Sequence, residues 1–140
     1  MRFVPYKQQV RCPDTDAFLG IANIAFSLRL SDDGGLSMQW VEYYGAKSAA
    51  TYSAAAIDFR DNLPSKRLGP TGYFAIGNVG HSKAVAADAG KQIRIVHEPD
   101  GTNMGHASVR RFDDEDRALL DTLAIDVFSE HVAVSSLALP

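Results

Sequence analysis

Apolar and polar residues alternate along residues 24–31. Phe26, Leu28 and Leu30 interleave with Ser27, Arg29 and Ser31, and this period of two predicts a half-buried strand. The same period returns in 36–44, where Leu36, Met38 and Trp40 interleave with Ser37, Gln39 and Val41. It predicts a second strand running at least to Trp40, with Trp40 continuing the inward face. The intervening Ser31-Asp32-Asp33-Gly34-Gly35 is a turn of suitable length, so 24–44 reads as a hairpin. Past Trp40 the alternation would carry Glu42 inward. Burying that carboxylate is costly, so the strand is expected to end or bulge there. Glu42, Tyr43 and Tyr44 then become a pocket rim.

The remaining elements follow from periodicity and punctuation. Residues 46–62 are rich in alanine and free of Gly and Pro, which predicts a helix. A buried strand is expected over 72–80, and a short helix over 81–90 that stops at Gly90. Strands are expected over 91–98 and 106–111. Residues 112–132 predict the longest helix, with Asp113 as N-cap, Asp114, Glu115 and Asp116 in the first turn, and a buried stripe of Leu119, Leu120, Leu123, Val127 and Phe128. The tail, 132–140, is apolar for a terminus and is expected to add an edge strand or to dock on a partner. The order β-β-α-β-α-β-β-α predicts one α+β domain over 1–140, a mainly antiparallel sheet with helices packed on one face.

Composition changes this picture little. The 140 residues are 46% hydrophobic and 22% charged, the balance of an ordinary soluble domain. The single cysteine, Cys12, allows no internal disulfide and suits a reducing cytoplasm. The start, MRFVPYKQQVRCP, carries no apolar segment of signal-peptide length, and no run approaches the roughly 20 residues that cross a bilayer, so no membrane is expected. The net charge is −3, and neither half of the chain is basic. Lys91, Arg94, Arg110 and Arg111 form a basic cluster, but the acidic run at 113–116 lies beside it. Nucleic acid is not an expected partner.

Candidate chemistry gathers around His97 and His106, which bracket the turn Glu98-Pro99-Asp100-Gly101-Thr102-Asn103-Met104-Gly105. An even loop, for instance one with Gly101-Thr102 central, would put both imidazoles on one face, where they could share a proton or begin a metal site. An odd loop would match the apolar Ile93 and Ile95 with Ala107 and Val109 and turn the histidines to opposite faces. Burial sets register, which favours the odd loop. Glu42 is a possible second acid or base. Arg29, Trp40, Tyr43 and Tyr44 are candidate ligand contacts, Trp40 also reading as core. His81, Ser82 and Lys83 open a helix after a strand, where backbone N–H groups could hold one anion. The chain has no complete phosphate-binding loop, zinc motif or nucleophile elbow, and no cofactor or metal is expected. Cys12 has Arg11 beside it but no evident base.

Two functions fit these residues. The first is a small binding or interaction domain that self-associates, or meets a protein partner, through 132–140. The second is a small hydrolase or transferase with a histidine-centred pocket near the 97–106 hairpin.

Overall fold

The computed structural model describes residues 1–28 and 33–140. Its strands, in chain order, are β1 (Arg2–Val4), β2 (Gln9–Arg11), β3 (Phe18–Ile21), β4 (Leu36–Gln39), β5 (Tyr73–Ile76), β6 (Arg94–His97), β7 (His106–Arg110) and β8 (Glu130–Ala133). The α-helices are α1 (Ala49–Asp61), α2 (Val79–Asp88) and α3 (Arg117–Thr122). The architecture is α+β and the strand pairing antiparallel, and among the described residues the strands divide into three small sheets ordered β1-β5-β8, β2-β3 and β4-β7-β6.

Burial sets the register of the β4-β7-β6 sheet. Leu36 and Ile95 both pair with Val109, while Met38 and His97 both pair with Ala107. Paired residues share a face, so these side chains form one continuous surface. On the opposite face Ser37, Gln39, His106 and Ser108 alternate with them. That face is covered in part by α1, because Gln39 Nε2 donates to the carbonyl of Ala55 at 3.0 Å and to Asn103 Oδ1 at 2.8 Å.

The helices begin and end on readable signals. Ser48 caps α1 by accepting from the Thr51 amide at 3.2 Å, and Tyr52, Ala55 and Ala56 are its buried face. Asn78 caps α2 through the His81 amide at 3.0 Å. Gly90, at φ +73°, then turns the chain so that the Lys91 amide returns to the Ala86 carbonyl at 2.8 Å.

Three local expectations are corrected. Asn23–Phe26 form a 3₁₀ turn rather than the start of a strand. Ala25 and Phe26 are adjacent and both fully buried, which an alternating strand does not permit. Arg29, Leu30, Ser31 and Asp32 lie outside the described residues, and β4 finds its partner in β7. The 112–132 helix is shorter than expected. Asp116, not Asp113, is the cap, accepting from the Leu119 amide at 3.1 Å, while Asp113 pairs with Lys91 at 2.7 Å. After α3 the chain widens into a π-helical turn, Leu123–Val127, closed by the Phe128 amide on the Leu123 carbonyl at 2.9 Å. By Glu130 it is extended as β8, because the edge of β5 needs a partner for its backbone groups.

The apolar tail is absorbed by its own chain. Val132 and Val134 join Leu137 and Leu139 in a cluster with Phe74, Val41, Tyr52 and Ala56. The Ala138 amide donates to Ser53 Oγ at 3.1 Å. Deleting residues 134–140 is therefore expected to lower unfolding free energy by about 2–4 kcal/mol, read from urea denaturation. An unchanged midpoint would mean that the tail is not part of the core.

Candidate ligand cavity

The inward face of the β4-β7-β6 sheet does not close fully on the rest of the core. A cavity of about 420 Å³ lies against it, within the size range of small-molecule sites. Leu36, Met38, Ile93, Ile95, Ala107 and Val109 form the sheet wall. Phe26, Phe112, Leu123 and Phe128 lie across from it, and Ile76, Gly77, Val79 and Ser82 extend the lining along β5 and the first turn of α2. The π-helical turn places Leu123 and Phe128 together on the lining, a use typical of such turns near functional sites. Gly77 is required by Phe128: a β-carbon there would lie 2.7 Å from the ring.

Polar and aromatic groups gather on another part of the lining, formed by Trp40, Glu42, Lys47, Tyr52 and His97. Trp40 is not core. The strand stops at Gln39, a 3₁₀ turn spans Val41–Tyr44, and Trp40 is 42% exposed. This agrees with the expected strand end near Glu42, and Glu42 is exposed on that turn. Trp40, Tyr43 and His97 form one ring cluster, with centroids 5.2 Å apart for Trp40–His97 and 5.5 Å for Tyr43–His97. Tyr44 packs edge-on against Tyr43, with ring centroids 5.2 Å apart, but is not on the cavity lining. Its hydroxyl donates to Asp58 at 2.7 Å and accepts from the Gly105 amide at 3.1 Å, so it locks the 98–105 loop to α1. Burial first, and then the Asp58 carboxylate, push its phenol well above the usual range.

A cluster missed by the sequence reading supplies the other charges. Lys47 Nζ pairs with Glu130 Oε2, and the Tyr52 hydroxyl donates to Glu130 Oε1 at 2.9 Å. Burial raises the Glu130 carboxyl, but the bonds from Lys47 and Tyr52 outweigh it and hold it below its ordinary value. Burial and the bond to Glu130 raise the Tyr52 phenol. The Lys47 ammonium is raised by the Glu130 bond. These partners are far apart in sequence, and no local pattern announces them.

The histidines take the odd register. His97 pairs with Ala107 and lines the cavity, while His106 lies on the opposite face. The tip nevertheless keeps a two-residue turn, since Asp100 bridges to Asn103 around Gly101-Thr102, with Gly101 at φ +56°. One extra residue on the β7 side reconciles the two. Each imidazole has a fixed tautomer, because a carbonyl can only accept. His97 donates from Nε2 to the Met104 carbonyl at 2.7 Å. His106 donates from Nδ1 to the Glu98 carbonyl at 2.6 Å, and its Nε2 accepts from the Ser37 hydroxyl at 2.9 Å. Nitrogen-15 spectra of the neutral side chains are expected to show the Nε2–H form for His97 and the Nδ1–H form for His106; a shared tautomer would contradict this geometry.

The other sequence candidates lie elsewhere. His81 and Lys83 are exposed on α2, and the His81 amide is already taken by Asn78. Ser82 is buried, donates to the Asn78 carbonyl at 2.8 Å and reaches the cavity wall. Arg29 lies outside the described residues. His131 belongs to β8 rather than to a helix end, and burial lowers its imidazole from the ordinary value. The Cys12 thiol is lowered chiefly by a hydrogen bond with Thr15; Arg11 is bound instead to Asp16. Of the basic cluster, Arg110 pairs with Glu98 at 2.8 Å and Lys91 with Asp113. Among the described residues no group of three or more His, Cys, Asp or Glu side chains could hold a metal ion, and no helix is long and apolar enough to cross a membrane. Comparison with protein-family models, curated proteins and solved structures finds no match for this chain.

Proposed function

We propose that this chain is a small binding domain that takes one mainly apolar molecule into the cavity beneath the β4-β7-β6 sheet. The observation that carries the reading is the cavity itself: about 420 Å³, walled mainly by aliphatic and aromatic side chains. An apolar guest lying against these side chains would leave water and gain dispersion contacts along the lining. Titration calorimetry with octan-1-ol tests this. Saturable one-to-one binding with a negative heat-capacity change is expected, and absence of heat at the solubility limit would refute it.

The enzyme reading is weaker. His97 and His106 are on opposite faces, and both nitrogens of His106 are engaged. Self-association enters the account only at the outer edge of β8, which ends its sheet, since the tail's apolar side chains already pack within the chain. A reducing cytoplasm, as the single cysteine suggests, is the setting we assign.

A further inference from the structure

The cavity reading leaves the ligand's polar end open, and the charges on the lining bear on it. Glu42 and His97 both line the cavity. Among the described residues no hydrogen bond or ion pair engages the Glu42 carboxylate. His97 spends its Nε2–H on the Met104 carbonyl, so in the neutral ring Nδ1 is a free acceptor. Lys47, the cationic side chain on the described lining, does not offset Glu42. Lys47 is neutralised by Glu130, and Tyr52 donates to the same carboxylate. The lining thus offers the Glu42 carboxylate and His97 Nδ1 as acceptors, the surplus negative charge of Glu42, and the rings of Trp40 and His97, with Tyr43 packed against them.

We propose that the cavity selects an apolar molecule bearing a primary ammonium group, the hydrocarbon lying against the sheet and the ammonium donating to Glu42 and to His97 Nδ1, beside Trp40. The inference rests on the cavity reading and deepens it. A carboxylate-headed ligand would meet the Glu42 charge, and Lys47, the cationic side chain on the described lining, is already paired with Glu130. A neutral alcohol would satisfy an acceptor but leave the surplus charge in place. An ammonium group does both, and the indole adds cation–π attraction.

The test compares octylammonium, octan-1-ol and octanoate by calorimetry at pH 7.5 and low salt, on the full chain and on Glu42→Gln. Octylammonium is expected to bind about fivefold more tightly than octan-1-ol, an exposed carboxylate contributing no more than that, with octanoate the weakest. In Glu42→Gln the ratio of octylammonium to octan-1-ol affinity is expected to fall to near one. Equal binding of the two by the unaltered chain, tightest binding of octanoate, or a preference that persists in Glu42→Gln would overturn the amine proposal while leaving the cavity reading intact. Failure of all three to bind would overturn both.

Discussion

Replacing Ala107 by phenylalanine is expected to abolish binding of an apolar guest, lowering octan-1-ol affinity by about 100-fold or more, while the protein stays folded. Ala107 is buried in the middle strand of its sheet, and its side chain faces the cavity from the centre of the wall. A phenyl ring there would occupy the space a guest needs. Overpacking a closed core costs about 1–3 kcal/mol, but here the volume is already open, so the stability change is expected to stay within about 1.5 kcal/mol of zero. Calorimetry and urea denaturation on the same variant separate the two effects. Unchanged binding would move the ligand site away from this wall, and collapse of the fold would show that the space is not open.

Gly105→Ala is expected to be the most damaging single-methyl change, costing about 2–3 kcal/mol. A β-carbon at Gly105 would lie 2.3 Å from Tyr44 Oη, 2.4 Å from Cε2 and 2.6 Å from Cζ. The ring cannot swing aside freely, because its hydroxyl is tied to Asp58 and its body packs in the cluster around Phe74. The clash also breaks the bond from the Gly105 amide, which anchors the loop between β6 and β7. The cause is open to a double-mutant cycle. In a Tyr44→Ala background the cost of Gly105→Ala is expected to fall below about 1 kcal/mol, whereas an equal cost in both backgrounds would place the strain elsewhere.

The parts of the fold governed by local chemistry are visible in the sequence. Gly90 stops α2, Gly101 turns the hairpin tip, and the matching of Ile95 with Val109 sets the β6–β7 register against the even loop. What depends on distant partners is not. Trp40 sits on an inward alternation, yet the strand ends one residue before it, and no local signal distinguishes core from rim there. Residues 130–132 continue a plausible helix, but β5 recruits them as a strand. The cavity was only half legible. His97, Trp40 and Glu42 stood out by type, whereas Lys47, Tyr52 and Glu130 meet only through the fold. Tyr44, equally conspicuous, is structural because Asp58 and Gly105 claim its hydroxyl.

The most direct test of the central claim is a methyl NMR titration of the full chain with octan-1-ol. The account predicts saturable shifts at one-to-one stoichiometry in the methyls of Met38, Ile93, Ile95, Val109 and Leu123, all on the cavity lining. Shifts confined to exposed apolar residues such as Leu19 and Ile125, or no shifts at all, would contradict it.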